Sequence, residues 1–71
     1  MITFPLSKGQ FIRLRHDLGL DRGELANALG LSEKHVERYE TGLRPIPELT
    51  AKLMIMYVKH GIPPAFMRRA A

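Results

Sequence analysis

The segment ALGLSEKHVERYETG, residues 28–42, contains a glycine and a serine between two short apolar patterns. Gly30 stands where a left-handed residue can end one helix, and Ser32 stands where a side-chain oxygen can cap the start of the next. After Ser32 the only obvious core residues are Val36 and Tyr39. The segment therefore predicts two helices joined by a tight turn, the second of which exposes a polar outer face.

The same start and stop signals recur along the rest of the chain. Ser7 precedes Gln10, and Asp21 precedes Glu24, by the three residues of a capping box. Glycines close the first three helices, and the prolines of LRPIP prevent the third from continuing. Pro47 is predicted to be the first residue of a fourth helix. The sequence thus predicts an all-α fold of four to five short helices, at about 7–18, 21–29, 32–40 and 47–60, with either one further turn or a frayed end after residue 64.

Apolar residues recur at three- and four-residue spacing within each predicted helix, which is the pattern of a helix with one buried face. A chain of 71 residues with this pattern is expected to form one domain, residues 1–71. We expect its core to consist of Phe11, Leu14, Leu18, Leu25, Ala28, Leu29, Val36, Tyr39, Leu49, Leu53, Met54 and Tyr57.

The composition favours an anionic partner and excludes some classes of site. Eleven Lys and Arg against seven Asp and Glu give a net charge of +4 and a pI near 10.0, which favours polyanions such as nucleic acid. The absence of cysteine excludes disulfides and thiolate zinc clusters. No stretch approaches the roughly 18 apolar residues of a membrane span, and the N-terminus lacks the pattern of a signal peptide. We therefore expect a cytoplasmic protein without membrane association.

A series of short motifs occurs between residues 14 and 57. They are LR at 14–15, GL at 19–20, ELA at 24–26, LGLS at 29–32, Val36, YETG at 39–42 and RPIP at 44–47. Together they resemble the helix-turn-helix domain of the Cro/CI, or XRE, type of bacterial and phage repressors. The resemblance implies a lambda-repressor-like fold whose helix-turn-helix spans 21–40 and whose third helix enters the major groove of DNA.

The resemblance also implies which side chains meet double-stranded DNA. Base contacts are expected from the third helix, at Glu33, Lys34, His35 and Arg38. Phosphate contacts are expected at Arg22, Ser32 and Arg44. Arginine and lysine can hydrogen-bond to guanine O6 and N7, which agrees with the basic members of the first set.

Two residues near this surface keep a second interpretation, and a third departs from the family pattern. Glu33 either accepts a hydrogen bond from a cytosine amino group or stabilises the helix start as an acidic residue in the first turn. Glu37 either lies in solvent or pairs with Lys34 or Arg38. Arg22 stands where the family usually has glutamine. Arginine keeps a phosphate contact at this position, but the side-chain amide bridge that glutamine makes to a neighbouring residue is lost.

Arg15 and Glu40 receive a structural role from the same resemblance. In the family, the arginine of the LR motif bonds the glutamate that follows the aromatic position of the third helix. Arg15 and Glu40 occupy these positions, so we expect a partly buried ion pair that ties the first helix to the end of the third.

The fourth helix and the segment after it carry more apolar residues than one face can bury. Methionine and aromatic side chains are frequent in contacts between proteins. We predict that residues 55–67 form a homodimer interface through Ile55, Met56, Val58, Ile62, Phe66 and Met67. In the alternative, the terminal segment folds back over the fourth helix within one chain and covers these side chains itself.

These features predict a dimeric repressor from a phage, plasmid or other bacterial operon, which reads an inverted repeat with two copies of the third helix. No sensor domain is evident, so constitutive action is expected. One alternative is an antitoxin or interaction module that binds a partner protein through its apolar C-terminal segment. Another is an adaptor that uses the third helix to bind a protein.

The histidines at 16, 35 and 60 share no metal-ligand spacing, and neither serine has a base to activate it. We predict no enzyme activity, no metal and no cofactor.

Overall fold

Four α-helices and one short 3-10 helix follow one another in the computed structural model, which describes residues 4–67. The α-helices are α1 at Lys8–Leu18, α2 at Arg22–Leu29, α3 at Glu33–Thr41 and α4 at Glu48–His60, and the terminal 3-10 helix spans Pro64–Met67. Residues 4–67 contain no β-strand. The prediction of an all-α fold of four to five short helices is therefore confirmed, and within the described residues the further turn is the one at Pro64–Met67.

The first two helix starts are capping boxes. Ser7 Oγ accepts from the backbone N–H of Gln10 at 3.1 Å, and the Gln10 side chain accepts from the Ser7 N–H at 3.0 Å. Asp21 and Glu24 make the same reciprocal pair at 2.8 and 3.0 Å. These bonds satisfy backbone N–H groups that have no partner inside the helix. The fourth helix begins one residue later than predicted, because Pro47 is its cap residue and not its first helical residue.

Buried side chains from all four α-helices form one apolar cluster. Phe11 and Tyr39 meet edge to face, with ring centroids 5.7 Å apart. The Tyr57 hydroxyl donates to the backbone carbonyl of Ala28 at 2.7 Å, which satisfies a polar group inside the core. Burial raises the pKa of the Tyr57 hydroxyl above its usual value. The largest fully buried side chains are those of Phe11, Leu25, Val36 and Met54.

The prediction of Leu49 as a core residue is wrong, because its side chain is 82% exposed. The helix buries Ala51, Met54 and Tyr57, which follow one another at three-residue spacing. A row of residues at i, i+4 drifts by about 40° per step around an α-helix. The predicted row Leu49–Leu53–Tyr57 therefore reaches the buried face only at its last member, and Leu53 is half-buried.

The chain after α4 turns back onto the body of the domain. The terminal 3-10 helix packs on α2, and Asn27 Nδ2 donates to the backbone carbonyl of Phe66 at 3.4 Å. Ile62 and Met67 are half-buried, and Ile55 packs against the core. Half of the residues expected at a dimer interface are thus partly used within the chain, which agrees with the fold-back alternative for this segment.

The exposed apolar residues of α4 lie on different sides of the helix. Met56 and Val58 are 51% and 40% exposed, but positions two residues apart are separated by about 160° around an α-helix. Met56 lies beside Leu49 and Leu53, and these three residues line a shallow apolar depression together with Leu29. The principal exposed apolar surface of α4 is therefore the face formed by Leu49, Leu53 and Met56, which we call the outer α4 face.

Candidate nucleic-acid interface

A three-residue turn, residues 30–32, connects α2 to α3. Gly30 adopts a left-handed backbone with φ of 71°, and its N–H donates to the Asn27 carbonyl at 3.2 Å. The N–H of Leu31 donates to the Ala26 carbonyl at 2.8 Å. Ala26 is buried, and its methyl group allows a close approach between the two helices. An L-amino acid with a side chain adopts this backbone at Gly30 only with strain, so glycine suits the change of chain direction between α2 and α3.

One face of α3 holds the helix against the domain. Val36 is fully buried, Tyr39 is nearly so, and both belong to the core cluster. The third buried residue is Glu40, whose carboxylate forms ion pairs with the rest of the domain. The attachment of α3 therefore combines two apolar side chains with one buried charge.

The opposite face of α3 is open. Lys34 and Glu37 are exposed, and Arg38 is half-buried. Among the described residues, none of these three side chains takes part in a salt bridge, so the alternative in which Glu37 pairs with Lys34 or Arg38 is not what the structure contains. Glu37 lies in solvent. The cationic groups of Lys34 and Arg38 are therefore available to an external partner.

Ser32 and His35 are both exposed, and they bind each other at the start of α3. Ser32 Oγ accepts from the His35 backbone N–H at 3.3 Å and lies 2.7 Å from His35 Nδ1. When the hydroxyl donates to Nδ1 of the neutral ring, the ring proton resides on Nε2. His35 stands at the position where a capping box has Glu or Gln, but its ring contacts the Ser32 hydroxyl and not the Ser32 backbone N–H, and its Nε2 is the atom that remains for a contact with DNA.

Glu33 turns back toward α2. A Cβ atom placed on Gly23 would lie 2.8 Å from Glu33 Oε1, so the carboxylate lies directly over the first turn of α2. Gly23 and Glu33 line an open cleft with Arg22 and Asp21. Because backbone N–H groups at a helix start attract anions, this carboxylate occupies a favourable position within the chain.

Arg15 and Glu40 are in direct contact. Arg15 Nε donates to Glu40 Oε2 at 2.6 Å and Nη2 donates to Oε1 at 3.2 Å, so the ion pair is bidentate. A third bond runs from Arg15 Nη1 to the backbone carbonyl of Leu20 at 3.1 Å. The pair connects α1 to the end of α3, and the Leu20 bond connects it to the loop before α2.

Arg22 joins the same cluster, which the sequence did not lead us to expect. Its Nε donates to Glu40 Oε1 at 3.0 Å, and its side chain is 43% exposed. A buried carboxylate has more lone pairs than one arginine can satisfy, and this was the available signal for a second cation near Glu40. Arg22 therefore contacts Glu40 through an ion pair, whereas the glutamine that is usual at this position would contact a neighbouring residue through its side-chain amide.

Arg44 lies in the exposed turn after α3, and its backbone N–H donates to the Arg38 carbonyl at 3.3 Å. Lys8 approaches the same turn from α1, since its Cδ and Nζ atoms lie 3.4 and 3.8 Å from a Cβ placed on Gly42. Lys8 and Arg44 line one shallow depression. Lys8 is therefore a further candidate for a phosphate contact, and its proximity follows from the packing of α1, which no local sequence pattern reveals.

Other kinds of site find no support in the part of the chain that the structure describes. Within residues 4–67, no group of three His, Asp or Glu side chains converges as metal ligands would. No helix among these residues combines the length and the apolar character needed to cross a bilayer.

Comparison with known proteins identifies the same part of the chain. Searches of curated proteins and of solved structures found no match. A family model described as a helix-turn-helix domain matches residues 9–56, which extend from α1 to α4 and include the turn between α2 and α3. This match covers more than half of the 71 residues, and it confirms the type of domain that the motifs indicated. The chain therefore belongs to the helix-turn-helix domain family.

Proposed function

We propose that the protein is a sequence-specific DNA-binding regulator that acts in the bacterial cytoplasm as a dimeric repressor of an inverted-repeat operator. The open face of α3 carries this proposal. Lys34 and Arg38 have no ion-pair partner among residues 4–67, and they project from a helix that is fastened by its opposite face. An α-helix fits the major groove of DNA, where both side chains can donate to guanine. Membership of the helix-turn-helix family supports DNA as the class of partner.

Basic side chains near α3 support contacts to the DNA backbone. Arg22 lies at the start of α2, and Lys8 and Arg44 lie at the turn after α3. Positive side chains and helix starts are the usual partners of DNA phosphates, and they fix the orientation in which a recognition helix enters the groove. In this arrangement Lys34 and Arg38 discriminate between bases, His35 donates through Nε2, and the flanking cations hold the domain in register. Ser32 contributes chiefly by capping α3.

The proposed dimer uses the outer α4 face in preference to the whole of residues 55–67. Leu49 and Met56 are large, exposed and on one side of the helix, whereas Ile55, Ile62 and Met67 are partly covered within the chain. Replacing Met56 with glutamate places a charge on this face and should convert the dimer to a monomer with unchanged helicity. Val58→Glu, on a different side of α4, is the matched control. Light scattering that gives the same mass for both variants would contradict this interface.

The decisive experiment is selection of bound sequences from a random pool of double-stranded DNA. We expect one consensus made of two inverted half-sites, with centres about 10 base pairs apart or a multiple of that distance. The double variant Lys34→Ala, Arg38→Ala should retain its helical circular dichroism and enrich no consensus. If the wild-type protein enriches no sequence and shows no salt-dependent binding, the proposed function is wrong.

A protein-interaction module, such as an antitoxin, is the second candidate. The outer α4 face favours it, because solvent-exposed leucine and methionine side chains on one surface are typical of protein contacts. A stoichiometric partner protein that protects Leu49 and Met56 from solvent, with no DNA consensus, would establish this function in place of repression. A partner bound to the open face of α3 would instead establish the adaptor alternative.

A further inference from the structure

Two arginines share one buried carboxylate behind the proposed DNA-binding surface. The Glu40 side chain is 1% exposed, the Arg15 side chain 16% and the Arg22 side chain 43%. The cluster thus runs from the interior to the surface, with Arg22 as its outer member. Two guanidinium groups and one carboxylate leave a formal excess of one positive charge, and the accessible part of that charge lies on Arg22.

The geometry of Arg22 leaves its outer donors free. Its Nε–H is directed to Glu40 Oε1 at 3.0 Å, and neither Nη group has a partner among the described residues. A guanidinium group is planar and rigid, so fixing Nε also fixes the direction of the two Nη groups. Paired N–H groups held in this way form the fork that binds a phosphate through two parallel hydrogen bonds.

We propose that Glu40 is a positioning residue for DNA binding, which orients Arg22 so that its two Nη groups bind one phosphate of the DNA backbone. Arg15 has the supporting role, because its two-pronged bond fixes the carboxylate that in turn fixes Arg22. The inference rests on the proposed function and adds to it a link between the buried ion pair and the DNA surface. A negatively charged residue behind the interface would then strengthen the binding of a polyanion.

The acidic neighbours make orientation more important than charge alone. Asp21 is engaged as the cap of α2, where its carboxylate accepts from the Glu24 N–H at 2.8 Å. Glu33 covers Gly23 in the same cleft and repels a nearby phosphate. Because the local charges largely cancel, a phosphate gains little from the mean potential of the cleft. It gains from a directed hydrogen-bond donor pair, which Arg22 supplies only while Glu40 holds it.

The first test is the charge-conserving variant Arg22→Lys. Lysine keeps the positive charge, but a single ammonium cannot hold Glu40 and present a fork to phosphate at once. We expect its dissociation constant for the selected operator to rise about tenfold and its salt slope to fall by about one. Arg13→Lys is the matched control, because Arg13 is exposed on α1, has no side-chain ion pair among residues 4–67 and lies outside the proposed set of DNA contacts, so its affinity should stay within about twofold. Equal effects of the two variants would overturn the inference while leaving the proposed function intact.

The second test uses the sign of the effect. Glu40→Gln removes a negative charge near DNA, so simple electrostatics predicts tighter binding, whereas loss of positioning predicts binding several-fold weaker. In an Arg22→Gln background, Glu40→Gln should cause no further weakening, since the residue that it positions is absent. Binding is measured at a temperature where circular dichroism shows each variant folded; if Glu40→Gln does not fold, the two lysine variants decide. Tighter binding by folded Glu40→Gln overturns the inference, and a wild-type protein that binds no DNA overturns both this inference and the proposed function.

Discussion

Removal of Arg15 should destabilise the domain far more than removal of the other arginine in the same cluster. Arg15→Ala leaves Glu40, whose side chain is 1% exposed, with Arg22 as its remaining partner. Breaking a buried ion pair by removing one partner costs about 3–5 kcal/mol. The retained Arg22 contact offsets part of this cost, while the lost bond to the Leu20 carbonyl adds about 1 kcal/mol. We therefore expect the free energy of unfolding to fall by about 3–4 kcal/mol.

A loss of this size is large for a domain of 71 residues, whose total stability is of the order of 4–11 kcal/mol. The melting temperature should fall by about 15–25 °C. Arg22→Ala removes a contact from a side chain that is 43% exposed, so solvent screening limits its cost to about 0.5–1 kcal/mol. Thermal and urea unfolding followed by circular dichroism measure both variants, with the exposed Arg13→Ala as a control. Equal losses for the Arg15 and Arg22 variants, or an unchanged melting temperature for Arg15→Ala, would refute the reasoning.

Three further predictions test the open face of α3 and the core. Arg38→Ala should reduce discrimination at one operator position by about 1–3 kcal/mol, whereas Glu37→Ala should leave every position unchanged; competition between operator variants measures both, and a uniform loss for Arg38→Ala would make it a phosphate contact. Glu33→Gln should tighten binding to all sequences alike, because the carboxylate opposes phosphate near Gly23, and loss of preference at a single cytosine would instead make Glu33 a base reader. The raised pKa of Tyr57 means that the folded state retains its proton above pH 10.0, where the unfolded state releases it, so stability that is present below that pH is lost as pH rises. Tyr57→Phe should lose about 1 kcal/mol at neutral pH with the hydrogen bond, yet show a smaller alkaline decline in urea unfolding; an identical decline in both proteins would contradict this assignment.

The features that the sequence predicted best depend on residues close together in the chain. The Ser7–Gln10 and Asp21–Glu24 boxes join residues three apart, and the left-handed backbone at Gly30 is a property of one residue. Such contacts are determined by local backbone geometry, so spacing and residue type are sufficient to locate them. The same holds for the outer face of α3, because the positions of Val36 and its neighbours follow from the helical period alone.

The features that the sequence did not predict depend on how each helix is rotated about its axis and how the helices pack together. The assignment of Leu49 to the core fails because apolar residues surround much of α4, so the period does not determine which of them face inward. The contact between Arg22 and Glu40 joins residues 18 apart, across two helices. Lys8 reaches the turn at Gly42 for a similar reason. Each of these depends on tertiary geometry that a single sequence does not express.

The shared carboxylate gives a physical reason for the small buried face of α3. A recognition helix must keep most of its surface polar and open, so it has few apolar side chains with which to fasten itself. Val36 and Tyr39 supply apolar contact, but directional bonds are needed to resist rotation about the helix axis. Glu40 provides these bonds from the end of α3 to α1 and α2 through two arginines. Since the outer arginine is also available to phosphate, DNA that binds Arg22 would strengthen the restraint on α3.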